Sequence, residues 1–157
     1  AGDDTIDGKA GIDVINGGTG NDLFTIDFSS IDTIDGGANT LKDTVKFNAG
    51  NTGTSISADT DFVMNSTLTN IEKLDITGLT LNTANDNTEF NFTEAMIDAW
   101  TGSSTGNLTL SLKSSQVEKI KFTDSSSVVH DTSSTITDNA SYTIGNNTLT
   151  IDIIDVP

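Results

Sequence analysis

Gly2, Gly11 and Gly20 lie nine residues apart, as do Asp4, Asp13 and Asp22, and as do the apolar Ile6, Ile15 and Phe24. Carboxylates repeated behind glycines at fixed spacing supply acceptor-only oxygens beside open backbone carbonyls. That donor set suits a hard divalent cation. A three-residue insertion then breaks the phase, after which Ser29-Ser30-Ile31-Asp32-Thr33-Ile34-Asp35 repeats the Asp-Thr-Ile-Asp ending of residues 1–7. A fifth copy opens Gly36-Gly37-Ala38-Asn39 and carries two extra residues before Asp43-Thr44-Val45.

The elements that must position these residues follow from the nonapeptide itself. Six residues of the pattern Gly-Gly-x-Gly-x-Asp make a tight loop, in which Gly adopts backbone angles that a Cβ forbids. Three residues then make a short strand whose central side chain points inward. Ile6, Ile15, Phe24, Ile34 and Val45 are the expected inward set, filling a thin core between two sheets. Two loops and two strands complete a coil of eighteen residues, so loops two repeats apart stack on one edge. Asp4 is then expected over Asp22, Asp13 over Asp32, and Asp22 over Asp43. Unneutralised carboxylates at such spacing repel each other. A calcium ion between each pair, with loop carbonyls completing an all-oxygen shell, removes that cost. Magnesium suits the site less, because it is smaller and gives up its waters reluctantly.

Composition narrows the function classes. The chain has 157 residues with 23 acids against 7 bases, a net charge of −16; the acids are 19 Asp and 4 Glu, and every base is Lys. Such a chain has no basic face for nucleic acid. Without Cys, neither a disulfide scaffold nor a Cys-ligated zinc site is possible. No apolar run approaches a bilayer-spanning length, and no secretory signal peptide opens the chain. A start at Ala1 is expected of a piece of a longer protein. Acidity and few aromatics are marks of disorder. Here, however, 34% of residues are apolar and fall in short alternating runs, which argues for order. A chain this acidic repels itself and needs a counter-charge to fold.

Beyond the repeats, only 93–100 has helix signals: Thr93 at a plausible N-cap, early acids, and Gly102 past the end. Short strands are expected at residues 44–47, 73–76, 108–112, 119–122 and 149–153, separated by Gly, Asn, Asp and Ser. Residues 70–77 resemble 116–123, and Gly106-Asn107-Leu108-Thr109-Leu110 resembles the stretch 146–151. The Gly/Asp nonapeptide does not recur there, and a soft boundary is expected between residues 48 and 54.

Other chemistry is poorly supported. His130, beside Asp131 and many Ser, has no Gly-x-Ser-x-Gly elbow near it. The carboxylate pairs sit on loops better explained by metal than by glycoside hydrolysis. Met96 and Trp100 read as helix-packing residues. Five Asn-x-Ser/Thr sequons occur where 15 Asn and 42 Ser plus Thr predict about four by chance, so they carry no information. Thr alternation, as in Leu108-Thr109-Leu110, marks the solvent side of a strand rather than an ice-binding face. No enzymatic activity is expected.

These repeats resemble the calcium-binding nonapeptides of the repeats-in-toxin (RTX) family, secreted bacterial proteins that form a parallel β-roll. Residues 17–25 match fully, 8–16 match with Lys9 for the second Gly, and the other copies match in part, covering about the first 47 residues. The resemblance implies an all-β chain: an N-terminal β-roll over 1–50, continuing into a calcium-poor β region over 51–157 with one short helix. It implies ligand sets as well. The first is Gly2 and Asp4 with Gly17, Thr19 and Asp22. The second is Lys9, Gly11 and Asp13 facing Asp32, where the fourth loop lacks the expected Gly. The third is Gly18, Gly20 and Asp22 facing Gly36, Ala38 and Asp43.

Extracellular modules bind calcium at roughly 10⁻⁴ to 10⁻³ M. At millimolar calcium each site therefore adds only about 1 kcal/mol, and several must act together. The implied switch keeps the acidic segment unfolded in calcium-poor cytoplasm, for one-step export, and folds it outside. Residues 70–77 look like stretches near the C-terminal ends of large RTX adhesins. The leading expectation is a non-enzymatic, calcium-stabilised segment of a secreted cell-surface adhesin. Its partner would be at the cell surface, in the matrix or a second copy. The alternatives are a self-assembling surface-layer or filament subunit, and the export and folding tail of a secreted hydrolase or toxin.

Overall fold

The computed structural model describes residues 1–27, 31–37, 42–48, 66–79, 90–130 and 136–154. Among them the protein is mostly β with one short helix. Strands β1 (Thr5–Lys9), β2 (Val14–Asn16), β3 (Leu23–Asp27), β4 (Thr33–Asp35), β5 (Thr44–Asn48) and β6 (Thr67–Thr69) alternate between two parallel sheets. The odd members join β7 (Lys73–Asp75), β9 (Asn107–Leu112), β13 (Asn147–Ile153) and β12 (Ser141–Ile144) in a seven-stranded sheet of order β1-β3-β5-β7-β9-β13-β12. The even members form the sheet β2-β4-β6. Strands β8 (Phe90–Phe92), β10 (Ile120–Thr123) and β11 (Val129–His130) make a third sheet. Among the described strands, only β12–β13 and β10–β11 pair antiparallel.

Register follows the repeat. Thr5 pairs with Leu23, eighteen residues on, and Val14 with Thr33, nineteen on. Leu23 pairs with Thr44, twenty-one on, so extra loop residues leave the strand register intact. Inward residues line up across the large sheet as Ile6, Phe24, Val45, Leu74, Leu110 and Ile151. Ile34 and Leu68 of the small sheet join the same hydrophobic cluster. Of the expected inward set, Phe24, Ile34 and Val45 are fully buried, whereas Ile6 and Ile15 are only partly so. They belong to the edge strands β1 and β2, which have a neighbour on one side only.

The large sheet crosses the composition change near residue 50: β5 pairs with β7, and one core runs through both parts. The resemblance between residues 106–110 and 146–151 is also a spatial pairing, since Leu108, Thr109 and Leu110 lie beside Leu149, Thr150 and Ile151. Helix α1 spans Glu94–Thr101; the Met96 N–H donates to Thr93 Oγ1, and Gly102 ends the helix with φ 65°. Trp100 is buried edge-on to Phe92, and Met96 packs against the core. Asn147 ties this helix to the sheet, its Nδ2 donating to Asp98 and its Oδ1 accepting from the Gly106 N–H. No helix among the described residues is long and apolar enough to cross a membrane.

Candidate metal centre

The loops preceding β1, β3, β5 and β7 stack along one edge of the molecule, and each ends in a carboxylate. The Asp4 N–H donates to Asp22 Oδ1 at 2.8 Å. The Asp22 N–H in turn donates to Asp43 Oδ1 at 2.7 Å, and the Asp43 N–H to Glu72 Oε2 at 2.9 Å. A shorter ladder runs along the other edge: the Asp13 N–H donates to Asp32 Oδ1, and the Asp32 N–H to Ser66 Oγ, both at 3.0 Å. The expected pairs Asp4–Asp22, Asp13–Asp32 and Asp22–Asp43 are thus neighbours. In each pair one carboxylate meets its neighbour's backbone N–H, an attraction that works against the repulsion between the charges.

Backbone bonds reinforce the stack. The N–H groups of Leu23, Thr33, Thr44 and Thr67 donate to the carbonyls of Asp4, Asp13, Asp22 and Asp32. Gly2 donates to the Thr19 carbonyl at 2.6 Å, Gly17 to Asp35, and Gly36 to Thr69. The glycines fit because the loops touch. A Cβ on Gly17 would press on Asp22 Oδ2 and lie 2.8 Å from the Gly36 carbonyl oxygen. Gly20 sits on the Gly2 carbonyl with φ +133°, and Gly18 lies against Gly37. Lys9, which stands where the pattern has its second Gly, adopts the left-handed φ of 58° itself. Gly11 lies close to the Asp13 carboxylate.

The residues of the first set therefore come together. In the second, Asp13 and Asp32 meet while Lys9 and Gly11 stay exposed. In the third, Asp22, Gly36 and Asp43 come together and Gly18 lies against Gly37, but Gly20 faces the Gly2 loop instead, and Ala38 lies outside the described residues. So do residues 28–30, the irregular fourth loop.

Burial separates these carboxylates. Asp22, Asp32 and Asp43 are at most 1% exposed, whereas the Asp4 side chain is 51% exposed. Among the described residues, Asp22 Oδ2 and Asp13 Oδ2 are buried oxygens with no hydrogen-bond partner. An orphaned anionic oxygen is costly unless a cation or another group meets it. Asp22 Oδ2 lies beside Gly17, with the Gly36 carbonyl at hand. The site thus offers one free carboxylate oxygen among loop carbonyls, oxygen chemistry that fits calcium. Asp22 on one edge and Asp13 on the other, each with carbonyls of its own glycine loops, would hold separate ions. Among the described residues no three acidic or histidine side chains converge on one point, so such an ion draws chiefly on carbonyls.

Compared with family models, curated proteins and solved structures, the chain matches none.

Four ladder residues carry no mark in the nonapeptide. Ser66 and Glu72 end the two ladders. Asp3 and Asn21 form a return stitch, with the Asn21 N–H donating to Asp3 Oδ1 at 2.8 Å and the Lys42 N–H to Asn21 Oδ1 at 2.9 Å. The signal for the ladder ends is an oxygen-bearing side chain two residues before an inward apolar one, as in Ser66-Thr67-Leu68 and Glu72-Lys73-Leu74. Burial raises the pKa of Glu72; the Asp43 N–H works against this, and the nearby Asp43 charge adds to it.

His130 belongs to a separate cluster. It stacks on Phe122, meets Tyr142 edge-on, and places Nε2 2.9 Å from Asp124 Oδ2. That hydrogen bond holds the Asp124 carboxyl below its ordinary range, helped by the backbone of the same turn. The Ser125 hydroxyl donates to the Thr143 and Gly145 carbonyls. Asp131, Ser133 and Ser134 lie outside the described residues.

Proposed function

We propose that the chain is a calcium-stabilised structural segment of a secreted bacterial cell-surface adhesin of the RTX type, its first 48 residues forming coils of a calcium-binding β-roll. Alternation of β1 to β6 between two parallel sheets supports the roll. The observation that carries the calcium assignment is the buried, unpartnered Asp22 Oδ2 between stacked glycine loops. Calcium outside the cell consolidates the acidic coils, and the calcium-poor region anchors their last turn through Ser66 and Glu72.

The test is a calcium titration followed by far-UV circular dichroism and thermal melts, with EGTA and magnesium as controls. A rise in melting temperature with calcium and not magnesium is expected. An unchanged melt would reduce the Gly/Asp repeats to ordinary turns.

A second reading, a self-assembling surface-layer or filament subunit, is favoured by exposed apolar residues near one edge of the small sheet. Ile12, Val14 and Ile31 are 75%, 84% and 54% exposed. Val14 lies on β2, the edge strand. Light scattering against calcium separates the readings, since assembly raises the particle mass.

A further inference from the structure

We propose that Asn16-Gly17 is a self-modification site, held unreactive by the pairing of β2 with β4 and released when that pairing opens, so that a coil left open loses the means to re-form. It is the one Asn-Gly step in the chain. With no Cβ on Gly17, its nitrogen is unhindered in approaching the Asn16 side chain.

The chemistry is internal and independent of the calcium reading. The Gly17 nitrogen gives its proton to solvent base and forms a bond to Asn16 Cγ. The Cγ–Nδ2 bond breaks, ammonia leaves, and a succinimide ring closes. Water then adds to either ring carbonyl. Opening at Cγ gives aspartate at position 16. Opening at the main-chain carbonyl gives isoaspartate, with the chain rerouted through Cβ. One water enters and one ammonia departs, with no oxidant or reductant.

Both reacting groups are engaged in the fold, and by one residue. The Gly17 N–H donates to the Asp35 carbonyl at 2.9 Å, and Asn16 Nδ2 donates to Asp35 Oδ2 at 3.2 Å. Asn16 and Asp35 are register partners across β2 and β4. Asp35 is itself fixed, because its Oδ1 accepts the Gly37 N–H and Asn70 Nδ2. Asn16 is exposed but Gly17 is buried, so solvent base reaches the nitrogen when β2 leaves β4. Strand β2 has three residues and a neighbour on one side only, the kind of element that opens locally.

Either product opposes closure. Aspartate at position 16 sets a second carboxylate directly across from Asp35, a repulsive cross-strand pair. Isoaspartate inserts an extra backbone carbon before Gly17, which is packed so closely between Asp22 Oδ2 and the Gly36 carbonyl that it lacks room even for a Cβ.

Incubation of the full chain in mildly alkaline buffer with millimolar calcium, with and without unfolding urea, is the test. Proteolysis and fragmentation mass spectrometry locate the change from amide to acid at position 16, and hydrogen exchange reads opening at the Gly17 amide. Modification should run at least tenfold faster in unfolding urea than in native buffer. As urea rises toward the transition, modification and Gly17 exchange should accelerate in parallel. In unfolding urea Gly17→Ala should slow the reaction at least tenfold, since a Cβ hinders the attacking nitrogen. Asn16→Asp should melt below the wild type. No modification at position 16 in urea would overturn the site, and an unslowed Gly17→Ala would overturn the succinimide route. Equal rates in native buffer and urea, or modification that does not follow Gly17 exchange, would overturn the gating by β2–β4 pairing. Asn16→Asp melting at or above the wild type would overturn the block to closure.

Discussion

Glu72 closes the longer ladder, and its removal tests whether the ladder bears stability. Its Oε2 accepts the N–H of Asp43, a fully buried residue. Glu72→Ala strands that donor, a loss of about 1–3 kcal/mol. At this chain length about 2 kcal/mol lowers the melting temperature by about 4–8 °C. Glu72→Gln keeps an acceptor oxygen and discards the charge. Burial and the Asp43 charge both disfavour ionised Glu72, so the Gln variant should match or exceed the wild type at neutral pH.

The pH dependence has a definite sign. A carboxyl whose folded pKa is raised stabilises the fold when protonated. The wild type should therefore lose stability, relative to Glu72→Gln, as pH rises from the ordinary value of 4.5 through the raised one. Thermal melts of the three proteins between acid and neutral pH, in EGTA, measure both effects. A Gln variant that melts as low as the Ala variant would refute the hydrogen-bond role. A wild type that gains on the Gln variant with rising pH would refute the pKa argument.

Asp22→Ala should weaken calcium-dependent stabilisation more than Asp32→Ala, since Asp22 has the buried unpartnered oxygen and lies between two stacked carboxylate neighbours; equal losses of calcium-induced melting shift would count against the stacking. Gly17→Ala should cost about 1–3 kcal/mol by overpacking, read as a lower denaturation midpoint, because its Cβ meets Asp22 and the Gly36 carbonyl. Gln116→Leu should cost about 2–3 kcal/mol in urea unfolding, because Gln116 Nε2 donates to the carbonyls of Ile76 and Leu79 and its Oε1 accepts the Lys113 N–H. Asp124→Asn should melt below the wild type at neutral pH; Asp124 has a lowered folded pKa, so the difference is full above its ordinary 3.8 and closes as pH falls through the folded value.

Spacing made the first ladder legible. Nine-residue intervals between Asp4, Asp13 and Asp22 fix which loops stack, and the insertions before Asp32 and Asp43 fall between strands, whose register is indifferent to the length that separates them. The helix was legible from Thr93 and Gly102, which act at its two ends. Gln116 was not, because one buried amide that bridges two carbonyls and an N–H forms no periodic pattern. It also explains why similar stretches part company: in 70–77 the chain runs straight into β7, whereas in 116–123 Gln116 and Val117 lie in a 3₁₀ turn that leads to a different sheet.

Ser66 and Glu72 show why the repeat fades without the stack of parallel strands ending. A nonapeptide is conspicuous because glycine loops have a fixed length. Once a longer connection replaces the loop, the spacing carries no information, and Asp32 to Ser66 spans 34 residues while Asp43 to Glu72 spans 29. What the stack still requires at each level is an oxygen to take the N–H of the level before, followed two residues later by an inward apolar side chain. Ser66 with Leu68 and Glu72 with Leu74 satisfy both conditions. A hydroxyl satisfies the donor without adding charge. A carboxylate satisfies it at the cost of a raised pKa, because it is buried there and, to a lesser degree, because its neighbour is already an anion. The transition from glycine-rich loops to longer connections between parallel strands thus takes place one acceptor at a time, with the hydrogen-bond requirement outlasting the repeat that first reveals it.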